Sequence, residues 1–574
     1  MSANFITDIN RWLEEGRYQE VKNVILDPAS ITQVRGFGME IILGVCEHLN
    51  SEKTVWSPQM EECCEFSLLM VSQLSNPKEV LIALQEQVAQ FGYSSKFKIL
   101  LLPFQAVLLR IPDKQGKLLD MVLGTIGEHV NSLPLPDMSN FCEGKDRLFL
   151  DVDPKIQCIS NIYEALAEFY APFVKQVALN RTNQTKLPDG TNLRERRSVL
   201  RKNLLKTMEE PLVYMDLHVE EGSSASLLRK TAEKLMNHLS CVSGDFLSLS
   251  QTVDHLRISC NPSSEEDERL PSSAKSLSTI FYLIYGEECS CNSVPLVYSP
   301  ELIFHTILVH ADPLLRSTQP LATHKGLLLV QGILRHISDL SLPIDCLDHP
   351  IHFKVFQSLI WLAVSTINVR EFKILTVQLF KLYLNKLHVE TRYRLLQSLL
   401  PTLDHPGMRG VVINVIKDQI DLCLKRDWSF FLHDRLNGLL PLIWSLPQGV
   451  ETDLLEQMDP IMNALSLARY LLLRDVTNVS GFTQHLPNLE VEFLEPLTKA
   501  LKLSRAHYEL ELHKIGHDIA GDVNFISSMP TVSPDQQKSA IRVALSSFDL
   551  LSSVLARVSE CLQSFKSPTL PPAS

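Results

Sequence analysis

Apolar residues recur at steps of three and four positions along most of this chain. Near the C-terminus the recurring positions are Ala544, Phe548, Leu551, Leu555, Val558 and Leu562. Because an α-helix has about 3.6 residues per turn, such steps place the apolar side chains on one helix face. No stretch of strict apolar–polar alternation competes with this pattern. The sequence therefore predicts an all-α fold.

The scarcity of glycine supports the same prediction. The chain has 22 glycines in 574 residues, roughly 4% against an average near 7%. Glycine serves tight turns and positive-φ positions, so we expect few hairpins and no glycine-rich nucleotide loop. Consecutive helices without a strict period indicate degenerate HEAT- or armadillo-like helical repeats. We expect these repeats to form an elongated two-part solenoid.

Local composition predicts where the chain divides. Residues 259–276 are rich in Ser, Glu and Pro and are interpreted as a flexible linker. They would separate an N-terminal helical-repeat domain (1–258) from a C-terminal, partner-binding one (277–566). A polar internal loop is expected at about 515–537, and residues 567–574 are expected to form a disordered tail.

Charge and targeting signals narrow the class of protein. The net charge is −12, whereas proteins that coat nucleic acid are usually basic. The N-terminus has no signal-peptide pattern, and the longest apolar stretch, 99–109, is shorter than the ~20 residues of a spanning helix. The twelve cysteines include no C-x-x-C pair and fit buried thiols in a reducing compartment. We expect a cytoplasmic protein that neither binds nucleic acid nor inserts into membranes.

Sequence motifs for catalysis and metal binding are missing. The chain has no P-loop, zincin, nucleophile-elbow or kinase signature. Cys346, His349 and His352 offer metal ligands, but a zinc site takes three or four well-spaced groups and no second cluster follows. Pro350 favours a turn between two helices instead. We expect no catalytic residue, no cofactor and no metal, and hence a protein that is not an enzyme.

Two basic groups are candidates for partner binding. The run 194–206 lacks aromatic residues, so a solvated helix face is favoured over a nucleic-acid or acidic-partner patch. The second group mixes cations with aromatic side chains, the types that dominate binding hot spots. Its candidate contacts are Lys425, Arg426, Trp428, Arg469, Tyr470, Arg474 and, further on, Arg505. The alternatives are ordinary solvated helix faces for the cations and a core position for the aromatic residues.

Several short strings occur in the same order as in a known family. They are the segments 76–80, 165–174, 382–387, 418–426, 446–455, 469–471, 504–511 and 548–557. On these strings the chain resembles the glomulin family. The resemblance covers about residues 65–565 and is densest from 380 to 510, while the first ~60 residues and the segment 259–276 diverge.

The resemblance implies a function that composition and spacing do not. Glomulin-like proteins are helical-repeat inhibitors that bind the RING subunit of cullin-RING ubiquitin ligases and their cullin complexes. They cover the surface that recruits the ubiquitin-conjugating enzyme (E2). The family is also associated with an FK506-binding immunophilin, with the hepatocyte growth factor receptor and with vasculogenesis. The alternative is a scaffold that links a receptor tyrosine kinase or immunophilin to signalling partners without inhibiting ubiquitination.

Overall fold

The secondary structure is helical throughout the described part of the chain. The computed structural model describes residues 2–50, 57–88, 95–111, 115–136, 152–178, 191–219, 222, 224–251, 274–289, 298–364, 370–426, 429–517 and 534–566. Within these residues the extended pairing is limited to one isolated bridge between Leu342 and Leu387. The all-α prediction is confirmed.

The principal α-helices take their numbers from their order along the chain. They are α1 (Ser2–Glu14), α2 (Tyr18–Leu26), α3 (Ile31–Gly36), α4 (Gly38–Asn50), α5 (Pro58–Leu74), α6 (Pro77–Val88), α7 (Leu101–Leu109), α8 (Gln115–Asn131), α9 (Pro154–Val177), α10 (Thr191–Thr207), α11 (Leu227–Ser243), α12 (Ala274–Phe281), α13 (Pro300–Leu315), α14 (Pro320–Arg335), α15 (Pro350–Val364), α16 (Arg370–Lys386), α17 (Val389–Thr402), α18 (Pro406–Arg426), α19 (Asp434–Ile443), α20 (Met458–Arg474), α21 (Glu495–His517) and α22 (Pro534–Lys566). Short 3₁₀ and π turns join several of them, including Ser95–Leu100, Leu212–Tyr214 and Tyr282–Gly286.

A Ser-Pro or Asp-Pro pair explains where three of the helices begin. Ser57, Asp153 and Ser299 each precede a proline and each accept a hydrogen bond from a backbone N–H in the first helical turn, at 3.2, 2.7 and 3.2 Å. The side-chain oxygen satisfies a donor that the helix leaves free, and proline at the next position lacks an N–H to satisfy. The start of α20 differs, because that helix begins at Met458 and places Asp459 and Pro460 in its first turn rather than at the cap.

The apolar stripes predicted from spacing are buried where the helices pack against one another. On α9 the stripe from Ile159 to Val177 is buried. Pro172 lies inside α9, which continues without a break to Val177. Proline removes one backbone donor, and the buried residues on either side of it, Phe169 and Phe173, keep the helix packed. Tertiary packing thus outweighs the local cost of proline.

The long helix α22 combines a buried stripe with an apolar exposed surface. All six stripe residues from Ala544 to Leu562 are buried. Among the described residues, the span Asp535–Lys566 is long and apolar enough to cross a membrane by length and composition. Its stripe packs against α20 and α21, as expected for a helix at the edge of a helical core.

The chain divides into two compact units. Unit 1 comprises Met1–Ile337, Ile351–Ser358 and Ile367–Leu375, and unit 2 comprises Ser338–Pro350, Leu359–Thr366 and Thr376–Ser574. Within each unit, helices that are close in sequence pack together, for example α13 with α14 and α18 with α20. This is the contact pattern of helical repeats.

The boundary between the two units lies closer to the C-terminus than the segment predicted from the sequence. The predicted boundary is 259–276, but α12, α13 and α14 belong to unit 1, since α12 packs against α10 and α14 packs against the turn Leu212–Tyr214. Residues 259–273 lie outside the described residues, so the flexibility of that segment stays a prediction. The same holds for residues 518–533 of the predicted loop and for the tail 567–574, whereas the two ends of that loop belong to α21 and α22.

Glycine permits close helix contacts at two places. In unit 1, a Cβ at Gly332 would lie 1.9 Å from the carbonyl oxygen of Tyr285. In unit 2, a Cβ at Gly410 would lie 3.1 Å from the backbone carbonyl carbon of Asp459. The second position lets α18 approach the start of α20, the helix pair that carries the candidate site.

Candidate functional site

Helices α18 and α20 of unit 2 position most of the candidate contacts. Val412, Ile416 and Ile420 of α18 are buried, as are Leu465 and Leu472 of α20. The two apolar faces pack against each other, so the polar faces of both helices remain at the surface of the unit. Hydrophobic burial therefore fixes the relative placement of the polar side chains.

Asp421 lies at the centre of this polar group. The hydroxyl of Tyr470 donates to its Oδ1 at 2.5 Å, and Nζ of Lys425 donates to its Oδ2 at 2.7 Å. Burial opposes ionisation of Asp421, but these two hydrogen bonds and the nearby charges of Lys425 and Arg474 outweigh it and lower its pKa. Burial, together with the hydrogen bond to the same carboxylate, raises the pKa of Tyr470. The arrangement orders Lys425 and Tyr470 around a fixed negative charge.

Exposed cations lie on both helices. Arg469 and Arg474 are exposed on α20, and the side chain of Lys425 on α18 retains 64% of its accessible surface. Asp418 of α18 is exposed as well. Three cations against the carboxylates of Asp418 and Asp421 leave a small excess of positive charge, which favours an acidic partner surface.

Three exposed aliphatic side chains lie within five positions of Arg474 in the chain, and sequence reasoning missed them. Leu473, Val476 and Val479 expose 52, 69 and 52% of their surface. The sequence could have indicated the exposure of Leu473, because this residue falls outside the apolar stripe that is buried on α20. We call Lys425, Arg469, Leu473, Arg474, Val476 and Val479 the α20 surface.

The segment after α20 is held rigidly by a buried carboxylate. Asp475 is 2% exposed. Its two oxygens accept hydrogen bonds from the backbone N–H groups of Val479, at 2.7 Å, and Ser480, at 2.9 Å. These bonds fix the backbone of the turn, which reduces the backbone entropy lost on binding.

The other candidate residues are placed differently. Arg505 on α21 contacts Glu509 at 3.0 Å and Asp549 of α22 at 2.6 Å. Its guanidinium thus links two helices of unit 2, and the structure does not bring it to Asp421. The side chain of Arg426 and all of Trp428 lie outside the described residues, so their roles as contacts stay predictions.

The aromatic residues next to Trp428 form a helix junction. Phe431 is fully buried and packs at 5.6 Å, ring to ring, against Tyr393. Phe430 is half-buried, and the guanidinium of Arg435 lies 3.6 Å from its ring centroid. The core interpretation therefore holds for Phe431, whereas Phe430 is only partly buried at the junction.

The basic run 194–206 is committed to contacts within unit 1. Arg196 donates to the side chain of Gln115 at 2.8 Å, Arg197 donates to the carbonyl of Val177 at 3.1 Å, and Lys202 pairs with Asp120 at 3.1 Å. These three residues are only partly exposed, because α10 packs against α8 and α9, whereas Arg194 and Arg201 are exposed.

Cys346 and His349 lie in the expected turn before Pro350, whereas His352 lies inside α15 and is not the surface histidine expected of a turn. Cys346 lies in the 3₁₀ turn Ile344–Asp348, and α15 begins at Pro350. Burial raises the pKa of the Cys346 thiol to about 12. His352 is buried, and its Nε2 lies 3.0 Å from Nδ1 of His305. Within the described residues no group of three or more His, Cys, Asp or Glu side chains is arranged to hold a metal ion.

Solved structures with similar helical arrangements are remote. The complex of Kap95p with RanGDP gives a TM-score of 0.25 at 10% identity, covering 96% of this chain and 73% of that one. Yeast importin-beta (Kap95p) gives 0.20 at 10% identity, covering 99% and 84%. These scores are too low to support an argument about fold or function.

Sequence comparison gives a clear result. Human glomulin is 29% identical over 567 residues, covering 96% of this chain and 92% of that protein. Mouse glomulin is 28% identical over 576 residues with the same coverage. A family model described as "Uncharacterised protein family, YAP/Alf4/glomulin" matches residues 242–554, which is more than half of the chain and includes the whole α20 surface. The chain belongs to the YAP/Alf4/glomulin family.

Proposed function

We propose that this chain is a non-enzymatic inhibitor of cullin-RING ubiquitin ligases. It binds the RING subunit through the α20 surface and covers the site that recruits the E2. The observation that carries the proposal is the combination, in unit 2, of a rigid aliphatic turn with three exposed cations. The likeness to glomulin over 96% of the chain supports the same class of function.

The α20 surface has the physical properties of a protein-binding site. Exposed Leu473, Val476 and Val479 supply apolar area that water contacts in the free protein. Arg474 adds a planar donor suited to a partner carboxylate. Because Asp421 and Asp475 already fix the side chains and backbone around them, binding loses little further conformational freedom.

The chemistry of the surface suits binding better than catalysis. General acid–base catalysis works best with a group whose pKa is near the working pH. The pKa of Asp421 is shifted down and that of Tyr470 up, both away from neutrality. The described cysteines are free thiols, several of them buried, which fits a protein acting in the reducing cytoplasm.

Titration of a purified RING subunit with the full chain tests the binding site. Charge reversal by Arg474→Glu removes a contact and introduces repulsion, so we expect a loss of about 2–4 kcal/mol, or roughly 30- to 1,000-fold in affinity. Val476→Asp changes a neighbouring residue that makes no contact with Asp421 and should weaken binding by at least about tenfold.

Lys499→Glu is the matched control. Lys499 is also an exposed cation of unit 2 but lies on α21, so its reversal has the same effect on net charge and should change affinity by less than about twofold. Equal effects of the three substitutions, or none, would contradict the assignment of the site. Binding of the RING subunit without any effect on E2 recruitment would favour the scaffold alternative.

A further inference from the structure

Unit 1 contains a groove that the proposed function does not use. Its walls are α5 and α9, and its floor is the turn Ser95–Leu100 followed by α7. The groove encloses a cavity of about 370 Å³. Another cavity, of about 420 Å³, lies in unit 2 between α21 and α22. The groove in unit 1 is the more strongly built, since Ile99, Leu101 and Phe169 line it and are almost fully buried.

Carboxylates line both walls of the groove. Glu61 and Glu65 come from α5, and Glu168 comes from α9. The described lining includes a single ammonium group, Lys98, which pairs with Glu61 at 2.9 Å. Three carboxylates against one ammonium leave two negative charges, those of Glu65 and Glu168. Lys234 approaches Glu168 at 3.2 Å, but both side chains are more than half exposed, so that pair is weak and replaceable.

Cross-links from the floor hold the walls in place. The side-chain amide of Gln105 donates to the backbone carbonyls of Glu168 and Phe169, at 2.9 and 3.0 Å. Lys98 makes the corresponding link to α5 through Glu61. The helices that carry the carboxylates are therefore held in place before any ligand binds, which favours a partner with matching charges.

The apolar surface of the groove continues beyond the cavity. Leu102 lines the cavity and is 39% exposed, and Leu109 on the same helix is 38% exposed. Positions seven apart lie on one helix face, about 10 Å from each other. That length matches two turns of a partner helix and exceeds what a compact small molecule would cover.

We infer that this groove binds an amphipathic basic helix of a partner protein. Aliphatic side chains two turns apart on that helix pack on Leu102 and Leu109. Its Lys or Arg side chains lie between Glu65 and Glu168. This is the helix-in-groove mode of recognition, with charge complementarity setting the orientation. The groove belongs to unit 1 and the α20 surface to unit 2, so this inference and the proposed function stand or fall separately.

The test uses the full chain and two synthetic helical peptides with the same leucine spacing. One carries lysine and the other glutamate at every charged position, and each has a fluorescent label for anisotropy titration. We expect the lysine peptide to bind and the glutamate peptide to bind at least about tenfold more weakly. The double substitution Glu65→Lys and Glu168→Lys should reverse this preference.

Two controls separate the groove from the general acidity of the chain. Glu62→Lys on α5 alters an exposed carboxylate that pairs with Lys22 and does not line the groove. It should leave the affinity for the lysine peptide within about twofold. Leu102→Ser should weaken both the original and the reversed interaction, whereas Leu26→Ser, at another exposed leucine, should not.

Two results would overturn the inference. One is equal loss of lysine-peptide binding in the single variants Glu65→Lys and Glu62→Lys, which change the net charge by the same amount; that result would indicate attraction to net charge alone. The other is unchanged binding in the double variant when circular dichroism shows that it is folded. RING-subunit binding, measured on the same proteins, should be unaffected by all of the groove substitutions.

Discussion

A buried carboxylate in unit 1 gives the sharpest prediction about stability. Glu287 accepts four hydrogen bonds, from the ring of His218 at 2.6 Å, the hydroxyl of Tyr282 at 2.7 Å, the guanidinium of Arg229 at 2.9 Å and the backbone N–H of Val219 at 3.2 Å. The side chains of Glu287 and Arg229 are 4% and 5% exposed. The substitution Glu287→Ala would leave four donors short of an acceptor, and the buried Arg229 cation would keep only the partly exposed Glu233, at 2.7 Å, as a carboxylate partner.

The size of the effect follows from two separate considerations. Removing one partner of a buried ion pair typically costs about 3–5 kcal/mol. Burial opposes ionisation of Glu287, but hydrogen bonds from His218, Tyr282 and Arg229 prevail and lower its pKa to about 2 from the ordinary 4.5. A difference of about 2.5 pKa units corresponds to roughly 3 kcal/mol. Since the folded-state pKa is the lower one, this stabilisation is fully present above pH 4.5 and is lost as the pH falls towards 2.

Hydrogen exchange of the amides of α11 and α12 is the assay, because it reports the stability of this part of unit 1. We expect Glu287→Ala to lower the free energy of opening there by about 3 kcal/mol at pH 7. The control is Arg335→Ala, which breaks the exposed pair of Arg335 with Glu288 and should cost less than about 1 kcal/mol. Similar losses in the two variants would refute the argument from burial.

Three further predictions concern a lysine, the linker and metal content. Lys325 is 2% exposed and donates to the carbonyls of Leu212 and Val213; burial lowers its pKa to about 7 from 10.5. Between pH 7 and 10.5 the unfolded chain binds a proton at Lys325 that the folded chain does not, so the free energy of unfolding should rise with pH in that range. In Lys325→Met, urea unfolding should show this rise reduced by about 2 kcal/mol between pH 7 and 9. Limited proteolysis should cleave first within 259–276, and protection of that segment with cleavage elsewhere would be contrary to the composition argument. Elemental analysis after dialysis should find no stoichiometric zinc, and about one zinc per chain would contradict the turn interpretation of Cys346 and its neighbours.

Features set by local spacing were predictable from the sequence. The stripe of α22 is buried as its three- and four-residue steps indicate, and the sequence Asp153-Pro154 starts α9 as a capped helix. These features depend on residues within a few turns of one another, so a pattern in the sequence is enough to reveal them.

Features set by contacts across the chain were not predictable. Glu287 receives hydrogen bonds from residues 58 and 69 positions away, and nothing in its local sequence indicates them. The clustering of Asp421 with Tyr470 spans 49 positions and depends on how α18 packs against α20. The mixture of basic and aromatic residues identified the cations of the α20 surface in the sequence, but the burial of Asp475 and the exposure of its aliphatic neighbours required the structure.

A reconstituted cullin-RING ubiquitination reaction tests the central claim most directly. The full chain is added at increasing ratio to the RING subunit, and the formation of ubiquitin chains is measured together with E2 binding. The account predicts stoichiometric suppression of both by the unmodified chain and by Lys499→Glu, and little suppression by Arg474→Glu. An unchanged rate of ubiquitination in the presence of a saturating amount of the unmodified chain would contradict it.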